Sequence, residues 1–189
     1  MLQIILARML SPEHYGTLSM MIVFTTLANV FVQSGFSTAL VQKKHADASD
    51  FSSVCYFELV LSVVLYGILY LAAPHIAAFY EIAELKEIVR VLAIVLFPGA
   101  VISVQTAYVS RNLEFKGLFL STLAASVISG AVSIGMAMAG FGVWAMVGQQ
   151  IIYYFSLMIV LFFTVSWRPE KLFSFEKLRS LFSFGWKLL

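Results

Sequence analysis

The sequence predicts an all-α integral membrane protein, built as an up-and-down bundle of transmembrane helices. Of its 189 residues, 61% are hydrophobic and only 12% are charged, and the mean hydropathy is +0.93. Soluble domains are about 45–50% apolar and about 25% charged. A soluble core of this length could not bury so much apolar surface. The composition therefore argues against a soluble enzyme, a nucleic-acid-binding module and a disordered tail.

Five apolar stretches are long enough to cross a bilayer, which needs about 20 residues of helix. The predicted spans cover residues 17–41, 51–73, 88–109, 118–139 and 143–166. Residues 1–10 resemble the last turns of a further span, so the predicted bundle extends over residues 1–169. Residues 170–189 alternate charged residues with Leu and Phe at helical spacing. This pattern predicts an amphipathic helix in the cytoplasmic membrane interface that leads into another span. With incomplete spans at both ends, we expect the sequence to be part of a longer protein.

The predicted spans are joined by short connections, so neighbours in sequence are expected to be antiparallel neighbours in space. Pro74 is expected to end the second full span, because proline usually stops a helix. Gly140 and Gly142 flank the tightest predicted reversal. Small residues recur at four-residue spacing within residues 118–139, which predicts close helix packing. They form two predicted stripes, Thr122, Ser126 and Gly130, and Ala131, Gly135 and Ala139.

The positions of the basic residues predict the orientation. Alternate connections lie on alternate sides of the membrane, and nine of the twelve Lys and Arg residues fall in one set, residues 42–50, 110–117 and 167–189. Arg8, Lys86 and Arg90 fall in the other set. Because cytoplasmic loops carry the excess of Lys and Arg, the first set is predicted to be cytoplasmic.

Polar residues inside the predicted spans are the main functional candidates. Glu58 lies seven residues in from the start of its predicted span, about 10 Å deep. A carboxylate at that depth is costly unless it faces a wet cavity, meets a cation or stays protonated. Uncharged amides lie in three of the spans, at Asn29, Gln33, Gln105, Gln149 and Gln150. Each amide fits either of two roles, a hydrogen bond between helices or a place on a substrate path.

The span at residues 88–109 carries a second set of candidates. Pro98 and Gly99 lie inside it, and they predict a kink or hinge because proline removes a backbone hydrogen bond. Such a kink can be purely structural, but bent helices in transporters also border substrate paths. Arg90 and Arg111 flank the span 21 residues apart, about 30 Å along a helix. Two cations on one side of a helix suit an anionic substrate that crosses the membrane; the alternative is that each only reaches the membrane surface.

Several short segments resemble a known family, in the expected order. They are residues 6–16 (LARMLSPEHYG), 34–44 (SGFSTALVQKK), 90–93 (RVLA), 111–116 (RNLEFK), 140–145 (GFGVWA) and 167–169 (WRP). Together they resemble the polysaccharide-transporter flippases of the WzxC/TuaB type, which belong to the MOP superfamily with the MATE exporters. The resemblance covers essentially the whole chain.

This resemblance implies a flippase that moves an undecaprenyl-pyrophosphate-linked oligosaccharide across the bacterial inner membrane, for lipopolysaccharide or exopolysaccharide synthesis. The family fold has two six-helix lobes around a central cavity, and this chain corresponds to most of the first lobe. Neither a catalytic residue nor a metal or cofactor is implied. Cations that line the cavity are expected to contact the pyrophosphate, and Arg8 and Arg90 lie in matching segments. The expected partners are membrane lipid, the lipid-linked oligosaccharide, and the polymerase and glycosyltransferases of the pathway, but no nucleic acid.

Two other functions stay open on the sequence alone. One is an integral-membrane enzyme of the same pathway, such as a polymerase or an acyltransferase, which should group acids, histidines or arginines in a sizeable external loop. The longest predicted external loop contains, without a recognisable arrangement, His75, Glu81, Glu84, Lys86 and Glu87. The other is a non-catalytic assembly subunit, which would need neither the amides nor a kinked helix.

The predicted orientation is testable. We expect Lys44 and Lys116 to be cytoplasmic, whereas Glu84 and Phe141 face outside. Single cysteines at these positions, in a Cys55→Ser background, are treated with a membrane-impermeant thiol reagent in intact spheroplasts. Positions 84 and 141 should be labelled, and positions 44 and 116 should be protected until the membrane is opened. Labelling of position 44 in intact spheroplasts would contradict the assignment.

Overall fold

The computed structural model describes residues 16, 23, 26, 39–41, 43 and 46–170, and every regular element within them is helical. The helices are α1 (Ala48–Phe79), α2 (Leu85–Leu92), α3 (Leu96–Asn112), α4 (Phe115–Met138) and α5 (Val143–Thr164). A short 3₁₀ turn, Ala93–Val95, joins α2 to α3. The prediction of an all-α membrane protein is confirmed, because four stretches of the described chain are long and apolar enough to cross a membrane: α1, the continuous α2–α3 unit, α4 and α5.

Each of these four stretches corresponds to one predicted span. The predicted ranges 51–73, 88–109, 118–139 and 143–166 differ from the observed helix ends by at most six residues. Most of the predicted span at 17–41 lies outside the described residues, as do residues 1–10 and 171–189.

The bundle has two chemically different ends. The start of α1, the end of α3, the start of α4 and the end of α5 share one end, which we call the basic end because it holds Lys43, Arg111, Lys116 and Arg168. The opposite end holds Lys86 and Arg90. There the chain reverses between α4 and α5 through Gly140 and Gly142, whose φ angles are 82° and 55°. Such positive φ values favour glycine, which explains why this reversal can be so tight.

Helix α1 does not end at Pro74, so that expectation is wrong. The helix continues through Pro74 to Phe79 and is 32 residues long. Proline has no backbone N–H, so the carbonyl group of Tyr70, four residues earlier in the helix, loses its usual hydrogen-bond donor. The helix persists because a side chain from another element supplies that donor, as described below.

The broken α2–α3 unit is the central element of the described bundle. In its most apolar stretch 61% of the residues are buried, compared with at most 28% in the other three membrane-crossing stretches. It packs against α1 and α5. Towards the opposite end, Leu85, Ile88 and Val89 form an apolar cluster with residues of α1 and α5. Any substrate path along this unit is therefore bordered by α1 and α5.

Helix α4 packs mainly on α5, and it does so through small side chains. The buried positions recur at four-residue spacing, at Ser121, Ala125, Ser129 and Ser133. The Ser121 hydroxyl lies 2.9 Å from the Thr164 hydroxyl, and the Ser133 hydroxyl donates to the carbonyl oxygen of Ala145 at 3.1 Å. Small residues let the two backbones approach closely, and the hydroxyl groups add hydrogen bonds between the helices.

The predicted stripes on α4 are not the surface that packs on α5. The structure leaves four of their six members exposed: Ser126, Ala131, Gly135 and Ala139. Of the other two, Gly130 is buried and Thr122 is half-buried. The contact stripe is offset from them because small residues occur on several faces of α4, and spacing alone does not show which face meets α5.

This offset predicts a large effect on stability at Ser129 and a small one at Ser126. Ser129→Leu inserts a large side chain into the α4–α5 contact and should lower the free energy of unfolding by about 1–3 kcal/mol, the usual cost of overpacking. Ser126→Leu is the matched control, because Ser126 is exposed on the same helix, and it should change that energy by less than about 0.5 kcal/mol. Reversible unfolding in mixed detergent measures both. Equal effects at the two positions would contradict the packing.

Candidate functional site

The polar candidates occupy two depths rather than one cluster. Glu58 on α1 and Gln105 on α3 are buried and lie in the half of the bundle towards the basic end. Gln149 and Gln150 are half-buried on the first two turns of α5, towards the opposite end. The remaining candidates lie outside the described residues: Arg8, Asn29 and Gln33. The described amides therefore do not form a single polar site.

The α1–α3 contact contains buried polar groups one helical turn apart. Glu58 is fully buried, and the Ser62 hydroxyl donates to the carbonyl oxygen of Glu58 at 2.8 Å. The same hydroxyl also contacts the carbonyl oxygen of Leu96, at 3.1 Å, where α3 begins. Ser62 thereby joins α1 to the central element beside its break.

The break in the central element lies just before Pro98. Proline at this position cannot donate to the carbonyl oxygen of Ile94, which belongs to the 3₁₀ turn Ala93–Val95. The backbone N–H of Leu96 is instead directed at the carbonyl oxygens of the turn. Pro98 and Gly99 are both buried. Because of this 3₁₀ turn, α2 and α3 are joined by fewer α-helical hydrogen bonds than the two halves of a continuous helix would be.

Arg90 lies on α2 at the opposite end, and its side chain contacts the backbone of α1. Its Nε–H donates to the carbonyl oxygen of Tyr70 at 3.3 Å. This is the carbonyl group that Pro74 cannot serve. The guanidinium carbon also lies 4.0 Å from the centre of the Tyr70 ring, a cation–π contact. Arg90 is therefore the side chain that lets α1 continue past its proline.

A local ion pair with Glu84 or Glu87, on the preceding turn of the chain, is the rival explanation for Arg90. Within the described part of the chain, no ion pair joins Arg90 to either carboxylate, whereas Lys43 does pair with Asp50. Arginine has five N–H donors, and the Tyr70 contact uses one of them. A half-buried guanidinium at the opposite end can thus bind an anion through its outer nitrogens while its Nε holds α1.

Arg111 has a different structural role at the basic end. Its Nη1 donates to the carbonyl oxygens of Leu40 and Lys43. Residues 39–41 are helical, so these carbonyl groups lie near a helix C-terminus, where the last four carbonyl groups have no partner within the helix and the helix dipole is negative. The Lys43 ammonium group in turn lies 2.9 Å from both carboxylate oxygens of the buried Asp50. Arg111 therefore links the end of α3 to the chain that precedes α1.

The structure also contains an aromatic cluster at the basic end that the sequence pattern does not predict. Trp167 is buried, and its ring centre lies 6.0 Å from that of Phe51 and 6.3 Å from that of Tyr108. The backbone N–H of Glu170 donates to the Ser52 hydroxyl at 2.9 Å. These contacts hold residues 165–170 across the basic end. Sequence reasoning missed the cluster because its rings come from α1, α3 and the segment after α5, and no local spacing relates them.

Comparison with known proteins identifies what this chain is similar to. The family described as "Polysaccharide biosynthesis protein" matches residues 5–189. The teichuronic acid biosynthesis protein TuaB of Bacillus subtilis (strain 168) is 30% identical over 165 residues, which are 85% of this chain and 34% of that protein. The succinoglycan biosynthesis transport protein ExoT of Rhizobium meliloti (strain 1021) is 22% identical over 183 residues, 96% of this chain and 37% of that protein.

A third relative is an uncharacterized membrane protein from the cps region of Klebsiella pneumoniae, 24% identical over 188 residues, 96% of this chain and 38% of that protein. The chain thus spans little more than a third of the length of these curated relatives. No solved structure matches the chain significantly. Together with the four apolar helices, these relatives make the chain a multi-pass membrane protein.

The role of Arg90 at Pro74 makes a prediction about stability. Arg90→Gln should lower the free energy of unfolding by about 1 kcal/mol, because the Tyr70 carbonyl group loses its donor. In a Pro74→Ala background, the restored N–H of residue 74 can serve that carbonyl group, so the same substitution should cost less than half as much. The double-mutant cycle is measured by unfolding in mixed detergent. Equal costs in the two backgrounds would contradict the proposed link between Arg90 and Pro74.

Proposed function

We propose, from the premise that the chain belongs to the polysaccharide biosynthesis protein family, that it acts in polysaccharide export as part of a flippase. The observation that carries the proposal is the family match over residues 5–189. The names of the family and of TuaB describe biosynthesis proteins, and the name of ExoT describes a transport protein. The proposed substrate is an oligosaccharide linked to undecaprenyl pyrophosphate, and the proposed location is the bacterial inner membrane.

The architecture supports a transport role. Alternating access in repeat transporters comes from one helical bundle that rocks against another around a shared site, often with interrupted helices at that site. The central α2–α3 unit is interrupted at Ala93–Val95, and buried polar groups lie beside it on α1 and α3. With the basic end in the cytoplasm, the interruption lies between Arg90 on the outer side and the cations of the inner side.

The relatives imply more than one bundle. Because this chain spans little more than a third of their length, we propose that export needs a second bundle in addition to the one described above. A polymerase and the glycosyltransferases of the pathway are the proposed functional partners. The alternatives of a membrane enzyme and of an assembly subunit have no specific observation in their favour.

The direct test follows the lipid-linked intermediate. In a strain whose polysaccharide export depends on the gene that encodes this chain, deletion of the gene should leave the lipid-linked oligosaccharide in the cytoplasmic leaflet. There it is protected from an impermeant sugar oxidant added to spheroplasts, whereas it becomes accessible when the gene is restored. If the intermediate reaches the outer leaflet normally but stays unpolymerised, the chain acts in polymerisation and the flippase proposal is wrong.

Substitution of Arg90 distinguishes an anion-binding role from a purely structural one. In the Pro74→Ala background, Arg90→Gln should still reduce export about tenfold, since one lost arginine–phosphate interaction is enough for that change, although the stability of the protein is largely kept. Lys86→Gln in the same background is the matched control, because Lys86 is an exposed cation one turn earlier on α2, and it should export normally. The measurement is export at matched membrane abundance. Normal export by the Arg90 variant would leave Arg90 as a structural residue alone.

A further inference from the structure

An apolar pocket of about 500 Å³ lies between α1, α3 and α5 towards the basic end. Its walls include Cys55 and Leu59 of α1, Val101 and Gln105 of α3, and Phe162 of α5, and Pro169 of the following segment also lines it. Of the residues that line the pocket, Gln105 is also one of the polar candidates named above. A volume of this size is typical of a site for one small ligand or one ligand chain.

The rim of the pocket faces the surroundings of the bundle. Phe162 and Phe163 line it from α5, and Phe163 is 78% exposed. Since α5 crosses the membrane, exposed aromatic side chains on it are directed to lipid or to another membrane helix. The pocket therefore opens on an apolar face of a membrane-crossing helix.

A cation lies beside the pocket at the basic end. The guanidinium carbon of Arg168 lies 4.1 Å from the centre of the Phe162 ring, and Phe162 is itself a wall of the pocket. Its Nη1 donates to the carbonyl oxygens of Val165 and Trp167, which fix the side chain in place. The other guanidinium nitrogens can bind an anionic group, and arginine is well suited to phosphate oxygens.

A buried amide lies deeper in the same pocket. Gln105 is 1% exposed, and its Oε1 has no hydrogen-bond partner among the described residues. It lies seven residues from the end of α3 at Asn112, about 10 Å along the helix. A rotation about its last side-chain bond exchanges oxygen and NH₂, so the amide can donate to a carbonyl group at this depth. Without such a partner, the buried amide would cost about 1–3 kcal/mol.

The lining decides what kind of ligand suits the pocket. Its walls are apolar apart from the buried amide of Gln105, and the Arg168 guanidinium lies against its Phe162 wall, so an acyl chain joined to an anionic head group suits it. A phosphate at Arg168 and an ester carbonyl near Gln105 follow the order of groups along a phospholipid.

We propose that this pocket binds one acyl chain of an anionic phospholipid from the leaflet at the basic end, with the lipid phosphate on Arg168 and an ester carbonyl on Gln105. The bound lipid fills a gap between α1, α3 and α5 beside the central element.

The test uses the whole protein in lipid nanodiscs. Phosphatidylglycerol and phosphatidylethanolamine, each with the same photoactivatable diazirine acyl chain, are supplied in equal amounts, and labelled residues are located by mass spectrometry. Label from phosphatidylglycerol should concentrate on pocket residues such as Leu59 and Val101. Arg168→Gln should lower the ratio of phosphatidylglycerol to phosphatidylethanolamine label about fivefold, as expected for the loss of one direct arginine–phosphate contact at the site.

Two further variants test whether the effect of Arg168→Gln is specific to that charge. Lys116→Gln removes an exposed cation of the basic end that does not line the pocket, and it should leave the ratio unchanged. Gln105→Leu should lower the label from both lipids without changing their ratio. A third arm replaces the phospholipid probes with a diazirine analogue of undecaprenyl phosphate.

Three outcomes would overturn the proposal, and each has a different labelling pattern. Label in proportion to bulk lipid composition, unaffected by Arg168→Gln, would overturn the proposal. Preferential labelling of the pocket by the undecaprenyl probe would overturn it in favour of the lipid carrier. Protection of the pocket from every probe, with cross-links to residues 171–189 instead, would assign the pocket to the chain itself.

Discussion

The constraint on which this structure depends is that a backbone carbonyl group inside a membrane needs a hydrogen-bond donor from the protein, because hydrocarbon offers none. An unbroken helix meets this need, and a proline or a helix end does not. At each end of the described bundle the chain supplies an arginine to carbonyl groups without a helical donor. Arg90 donates to the carbonyl group of Tyr70, which Pro74 cannot serve, and Arg111 donates to the carbonyl groups of Leu40 and Lys43. Each donor comes from a different element than its acceptor, so satisfying the backbone also joins the bundle.

The same constraint shapes the candidate site. The central unit can be interrupted at Ala93–Val95 because the turn retains 3₁₀ hydrogen bonds and because Ser62 reaches the start of α3. The interruption lies in the most buried element, between α1 and α5, rather than at the lipid surface. Arg90 combines two duties, since one nitrogen holds α1 while the others are directed to an anion in our proposal. A loss of activity on mutation of Arg90 could therefore reflect either a lost anion contact or a lost hydrogen bond to Tyr70. The Pro74→Ala background separates the two, because the restored N–H of residue 74 can serve the Tyr70 carbonyl group.

Much of the fold could be predicted from composition and span length, because the bilayer fixes how long an apolar helix must be. The Pro74 expectation failed because local sequence does not show a donor 16 residues away on another helix. The α4 stripes failed because several faces of that helix carry small residues. The sequence placed Arg90 and Pro98 among the candidates, but it could not reveal the Arg90–Tyr70 contact, the Trp167 cluster or the pocket. Those features depend on which residues the packing brings together.

The most direct measurement concerns the carbonyl group of Tyr70. Tyr70-Leu71 is the one Tyr-Leu pair in the sequence, so carbonyl-¹³C tyrosine combined with ¹⁵N leucine gives a single one-bond ¹³C–¹⁵N NMR correlation for that carbonyl group. Hydrogen bonding moves a carbonyl ¹³C signal downfield. We predict that Arg90→Gln moves the signal upfield in the parent protein but leaves it nearly unchanged in the Pro74→Ala background. A signal that does not respond to Arg90→Gln in the parent would contradict the claim that Arg90 is the donor that lets α1 continue past its proline.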